Sequence, residues 1–249
     1  MLTGTQEIKA AYQDDQLAAE YLASRYENDP FGRAVHERQA AIVARLISTL
    51  RPARLLEIAC GPGRLTVHVP PVPFAVAVEQ SPAMLQIARR RLRADQQDHW
   101  QLVRGDAFHL PVPDHHFDAV MVFKLIRHFA APERRTLLGE IRRVLQPGGH
   151  LILDVVNAPA CRWLHQKWGL GEVWIDDHWF TRSEFVQEMK AAGFRTTRLV
   201  PVQSLLRLQY QLWARVHRRL PGLATRLSRC FENVTALSPL EWIALCRCE

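Results

Sequence analysis

The segment Leu55-Leu56-Glu57-Ile58-Ala59-Cys60-Gly61-Pro62-Gly63-Arg64 restricts the fold of this chain more than any other, because an apolar run closes on an acid and then on two glycines one residue apart. It predicts a strand, a tight turn and a helix start. Without Cβ atoms, Gly61 and Gly63 can take φ > 0 and let a ligand lie against the backbone, while the following helix offers unpaired N–H groups. The later run Phe74-Ala75-Val76-Ala77-Val78-Glu79 predicts a second buried strand, which ends in the carboxylate that a bidentate contact to a ribose diol requires. A glycine pair after a strand also occurs in turns that bind nothing, so the pair and Glu79 together carry the inference of a nucleoside cofactor. Against the dinucleotide fingerprint G-x-G-x-x-G the match fails at the third glycine, where Thr66 stands, and a nicotinamide enzyme becomes the lesser reading.

The first motif of the class I S-adenosylmethionine-dependent methyltransferases runs acid-x-G-x-G-x-G, and Glu57-Ile58-Ala59-Cys60-Gly61-Pro62-Gly63 resembles it, with Ala59 in place of the first glycine. Further segments resemble the same family in the same order. Glu79-Gln80-Ser81-Pro82-Ala83-Met84-Leu85 is similar to its acid-x-S-x-x-M-L pattern, although Ser81 as a cap and Pro82 at the first position start a helix soundly in any protein. Gly105-Asp106-Ala107-Phe108-His109-Leu110-Pro111 resembles the family's G-D-A-x-x-L-P segment, where the acid takes the adenine amino group; the plain alternative is a turn after a strand. Phe117-Asp118 and Leu145-Gln146-Pro147-Gly148-Gly149 resemble its F-D and L-x-P-G-G signatures, and the second of these is architectural, ending a helix and turning the chain.

The resemblance implies S-adenosyl-L-methionine as cofactor, held by Glu57, Ala59, Gly61, Gly63, Glu79, Gln80, Met84, Asp106, Ala107 and Phe123, with Tyr21 and Arg25 from an N-terminal helix. It implies an α/β, Rossmann-like, doubly wound sheet of seven strands with the last antiparallel. Strands are expected at 53–59, 74–79, 99–104, 117–123, 149–156, 194–201 and 240–248. Residues 1–249 read as a single methyltransferase domain, divided into a helical cap at 1–50, a core at 51–203 and 236–249, and a helical insertion at 204–235.

In that insertion Leu205, Leu208, Leu212, Trp213, Val216 and Leu220 recur at helical spacing, while Arg207, Arg215, Arg218, Arg219, Arg226 and Arg229 give a basic surface. Such helices pack on their own domain, line an acceptor pocket or rest peripherally on an anionic membrane. With Trp163, Trp168, Trp174, Trp179 and Phe180 after the fifth strand, they suggest a large apolar acceptor, unless those aromatics are core. The net charge of +7 invites a nucleic-acid reading, but Arg89-Arg90-Arg91 and Arg93 fit a solvated helix face. RNA methylation therefore ranks second, and a non-catalytic cofactor-binding regulator is a third reading.

Five cysteines without a C-x-x-C pair suggest buried thiols, with no metal site. No apolar run reaches the roughly 20 residues of a membrane-spanning helix, and a cytoplasmic location is expected. His128, just beyond the fourth strand, lies at the edge where open α/β sheets bind ligands and can take a proton from a hydroxyl near neutral pH; a pocket-lining role stays open. His109, Arg127, His115 and His116 are weaker candidates. The expected reaction is in-line methylation of a small or lipid-like metabolite, at oxygen before nitrogen or carbon.

Overall fold

The computed structural model describes residues 20–22, 30–168, 177–204 and 239–249. Arg25 and nearly all of the expected insertion, residues 205–235, lie outside the described residues, as do Trp174 and Cys230.

The chain runs α1 (Pro30–Leu50), β1 (Arg54–Ile58), β2 (Phe74–Glu79), α2 (Pro82–Ala94), β3 (Trp100–Arg104), β4 (Phe117–Val122), α3 (Ala131–Val144), β5 (Leu145–Val156), α4 (Ala158–Trp168), α5 (Arg182–Ala191), β6 (Phe194–Val202) and β7 (Glu241–Cys248). Seven strands form one sheet in the order β3-β2-β1-β4-β5-β7-β6. β1 to β5 pair in parallel, whereas β7 lies antiparallel between β5 and β6, as the resemblance implied.

The strands read as continuous apolar runs because both faces of the sheet are covered. Leu55 packs on one face with Val43, Leu46 and Ile47 of α1. Its neighbour Leu56 packs on the other with Leu137, Leu138 and Ile141 of α3. Each such side chain contributes about 1.5–3 kcal/mol relative to exposure. α2 starts as its sequence predicts, since the Met84 N–H donates to the Ser81 hydroxyl and Pro82 opens the helix. Arg89, Arg90 and Arg93 are exposed, in keeping with a solvated face.

Three expectations need correction. The glycine turn is followed by a single 3-10 turn at Thr66–His68 and not by a helix. Pro70, Pro71 and Pro73 follow at once; none can donate an N–H, and each biases its predecessor away from helix. That shortened crossover leaves part of the sheet bare, and α1 covers it. Residues 30–50 are thus a layer of the core and not a cap. Finally, β5 begins at Leu145, ahead of the expected 149: Leu145 pairs with Phe117 and His150 with Ala119, so Pro147-Gly148-Gly149 is a bulge inside the strand. A Cβ at Gly149 would stand 2.9 Å from the Gln146 carbonyl, which explains the glycine. Cys60, Cys161, Cys246 and Cys248 are buried thiols, and Phe180 is core, edge-on to Phe185.

Candidate cofactor and acceptor site

β1 and β4 are neighbours although three elements separate them in the chain, so the strand order reverses there and the crevice beyond their carboxyl ends is where an open α/β sheet holds a ligand. The β1 turn builds one side of it. Ala59, Gly61 and Gly63 have φ of +54°, +56° and +73°, so Ala59 keeps the left-handed conformation expected of a glycine. A Cβ at Gly61 would meet nothing within 4 Å, which leaves its face open to a ligand. Gly63 differs: a Cβ there would lie 3.3 Å from Ala88, so its role is close approach to α2.

Left-handed backbone costs an alanine about 1 kcal/mol, partly offset by the freedom that glycine has when unfolded. Ala59→Gly is therefore expected to leave the melting temperature within about 2 °C of wild type or above it. A larger fall in thermal melting would show that the turn needs the methyl group.

Glu79 fastens the turn to the end of β2. Its Oε2 accepts from the Gly61 N–H at 3.0 Å and its Oε1 from the Ser81 N–H at 2.8 Å. Burial raises its pKa, while those backbone donors act in the opposite direction. An ionised carboxylate has about four acceptor positions, so these backbone donors leave it room to accept from a ribose hydroxyl.

Glu57 sits beneath the turn and does not reach the cleft wall; the Thr66 hydroxyl donates to its Oε2 at 2.6 Å. The β-branched residue that spoils the dinucleotide fingerprint thus serves a buried acid. Burial pushes the Glu57 carboxyl up to about 8 against the Thr66 hydrogen bond. The native state therefore holds a proton that the unfolded chain has already lost above about pH 4.5. This stability is complete below pH 4.5 and disappears as pH rises through 8, with an amplitude of roughly 5 kcal/mol. Chemical denaturation from pH 5 to 8.5 is expected to show Glu57→Gln losing much less stability than wild type; parallel curves would contradict a protonated Glu57.

The cleft encloses about 820 Å³, including its open mouth. Ala59, Gly61, Glu79, Gln80 and Met84 line it, and Tyr21 packs beside Met84. Asp106 and Ala107 after β3, with Phe123 and His128 after β4, complete the predicted residues that meet there. Phe108 and Phe129, 5.0 Å apart and edge to face, close an apolar side. His115 and His116 lie at the far end of the sheet, where His116 packs on Phe74 and His115 Nδ1 meets the Leu145 carbonyl.

Beyond β4 stands a group of charges of which the sequence reading named only Arg127 and His128. Lys124 has φ +58°. Asp154 of β5 accepts from the Lys124 N–H at 2.7 Å and from Arg127 Nη2 at 2.5 Å. Burial alone would raise Asp154, but the charges of Arg127 and Lys124 hold it below the usual carboxylate range. Lys124 Nζ is 3.1 Å from Glu241 Oε2, and Glu241 also accepts from Gln39. Gln39 in turn accepts from Arg64 at 2.7 Å, and Arg64 meets His36. Burial and the Arg64 charge push His36 down to about 3, so its imidazole is a neutral acceptor.

On the other side Arg127 reaches Asp177 at 3.5 Å, and Asp177 Oδ1 lies 2.6 Å from His128 Nδ1. Burial raises Asp177, yet the hydrogen bond from His128 and the charge of Arg127 keep it below its ordinary value. An ionised Asp177 holds the proton on Nδ1 and leaves Nε2 as the basic nitrogen.

Residues 55–149 match a protein-family model described as a methyltransferase domain. The stretch from β1 to the start of β5 is thus similar in sequence to a methyltransferase domain. Demethylmenaquinone methyltransferase of Symbiobacterium thermophilum is 37% identical over 115 residues, which cover 44% of this chain and 45% of that protein. The ubiquinone/menaquinone biosynthesis C-methyltransferase of Ectopseudomonas mendocina is 31% identical over 167 residues, 63% of this chain and 64% of that protein. Matches to the curated relatives thus span about half of their length. Magnesium protoporphyrin IX methyltransferase from Synechocystis, at 10% identity, superposes with a TM-score of 0.70 over 99% of this chain and 100% of its own, a likeness of fold. The matched stretch ends within β5, so Asp154, Asp177 and Glu241 fall outside it.

Proposed function

We propose that the chain binds S-adenosyl-L-methionine and methylates a hydroxyl of a small or lipid-like acceptor. The observation that carries this reading is that one cleft has Glu79 and the open Gly61 at one side and the Asp177-paired His128 at the other. Glu79 would take the ribose diol, Asp106 the adenine amino group, and the apolar walls at Met84 and Phe108 the ring. These residues fit a nucleoside because the left-handed Gly61 leaves open space where any side chain would stand. When bound, the cofactor supplies a sulfonium methyl group made electrophilic by its positive charge.

The protein's own work is alignment, exclusion of water and management of one proton. His128 Nε2 accepts the proton of the acceptor hydroxyl while Asp177 fixes the imidazole and balances the charge it gains, the division of labour of a base and its orienting acid. The quinone-related names of the relatives support an acceptor built on an aromatic ring; the Ectopseudomonas mendocina protein is named a C-methyltransferase, so the choice of oxygen rests on the His128–Asp177 pair and not on the relatives. No helix among the described residues is long and apolar enough to cross a membrane. A cytoplasmic location is part of this proposal, and the basic segment at 205–235 is the candidate for contact with a lipid surface.

The test incubates purified protein with labelled cofactor and a panel of quinols, naphthols and short RNAs, followed by mass spectrometry of the acceptors. Methyl transfer to an aromatic hydroxyl, lost in His128→Ala, is expected. Transfer to RNA alone, or to none of the panel, would contradict the reading.

A further inference from the structure

We infer that the Lys124 ammonium is the site for the ionised oxygen of the acceptor, a positioning role that rests on the methyl-transfer reading above and adds a residue to it. Lys124 lines the cleft together with His128 and keeps 22% of its side chain exposed. Its backbone is left-handed, unfavourable for a lysine, and is pinned by the bond from its N–H to Asp154. The surroundings therefore hold a side chain in a place it would not choose alone, an arrangement typical of binding sites.

The donors decide between a structural and a ligand-facing lysine. An ammonium has three N–H groups. One reaches Glu241 at 3.1 Å, while Asp154 Oδ2 at 3.7 Å attracts the charge but is beyond hydrogen-bond reach. Glu241 thus occupies one of the three donors, and Lys124 is the cation on the lining of the cleft. Arg127, by contrast, is committed to Asp154 and Asp177.

The chemistry calls for such a group. A phenolic hydroxyl ionises near pH 10 in water whereas an imidazole takes a proton near 6.5, so transfer from one to the other is uphill by about three units unless a cation favours the oxyanion. In that step the O–H bond breaks, its electron pair stays on oxygen beside Lys124, and the proton passes to His128 and then to solvent. The other groups facing this place are Arg127, Asp154, Asp177 and Glu241, with Glu79 and Asp106 across the cleft. Cys161 nearby is pushed up to about 12 by burial and stays a neutral thiol.

The experiment titrates 2-naphthol by absorbance in the complex with S-adenosylhomocysteine, since the naphthol and its anion absorb differently. The wild-type protein is expected to lower the apparent pKa of bound naphthol by at least one unit, a tenfold gain in acidity. Lys124→Met should abolish that shift while binding S-adenosylhomocysteine within about threefold of wild type. If Lys124→Met fails to fold because Glu241 is left unpaired, Lys124→Met with Glu241→Gln removes both charges of the pair and serves instead. An unshifted naphthol pKa in wild type, an equal shift in the variant, or no naphthol binding would overturn the assignment. Failure to bind S-adenosylhomocysteine at all would overturn the underlying reading with it.

Discussion

Asp154→Ala is expected to lower the melting temperature by roughly 8–15 °C. The carboxylate is buried between two cations, accepting the Lys124 N–H and the Arg127 guanidinium. Its removal takes a carboxylate from beside both cations, leaving Lys124 paired with Glu241 and Arg127 with Asp177 at 3.5 Å, and both side chains are mostly buried. Breaking one partner out of such a group costs about 3–5 kcal/mol, much more than the group contributes as a whole, because the remaining charges lose both solvent and counter-ion. For a chain of this length each kcal/mol moves the midpoint by about 2–4 °C. The loss should also appear in the cleft, because the left-handed Lys124 turn loses its anchor. Asp154→Asn keeps the oxygen that accepts the Lys124 N–H and should fall about half as far. Calorimetric melting decides: a drop under about 2 °C for Asp154→Ala would mean that solvent reaches the group and that its charges are independent.

Glu79→Ala is expected to weaken cofactor binding at least a hundredfold. Two charge-assisted hydrogen bonds from a diol are worth about 1.5–3 kcal/mol each, and a factor of one hundred corresponds to about 2.7 kcal/mol. The same change releases the Gly61 and Ser81 N–H groups that Glu79 now satisfies, so the turn itself loses its fastening. Glu79→Gln separates the effects, since it preserves the shape of the side chain but can offer only one acceptor oxygen to the two backbone donors and the ribose. Equilibrium dialysis with labelled S-adenosylmethionine would read both variants. Affinity within threefold of wild type for Glu79→Ala would remove the ribose assignment.

The cofactor half of the cleft was legible because its signals are local. Glycine spacing, an acid closing an apolar run and the Ser81-Pro82 helix start are each consequences of backbone geometry within a few residues, and the structure brings Ala59, Gly61, Glu79, Met84, Asp106 and Phe123 to one cavity. Even the exception keeps the rule, since Ala59 adopts the conformation of the glycine it replaces.

The acceptor half was not legible, because pairing between distant strands creates it. Glu241 stands opposite Val156 only because β7 inserts between β5 and β6, and Lys124, Asp154 and Asp177 come together from three separate stretches. A faint signal did exist: Asp154 interrupts the apolar run Leu151-Ile152-Leu153-Asp154-Val155-Val156, and a lone acid at the carboxyl end of a buried strand needs a partner. The misplaced cap has a similar origin. Periodicity identified the helix at 30–50 but not the face it covers, which depends on the proline-limited crossover after β1.

The most direct test of the central claim is calorimetric titration of the purified chain with S-adenosylmethionine and with S-adenosylhomocysteine. The account predicts one site per chain with micromolar affinity for both, and heat signals that vanish in Glu79→Ala while that variant still melts cooperatively. No binding to the wild-type protein at millimolar ligand would contradict the assignment of the cleft and leave this fold with a role other than methyl transfer.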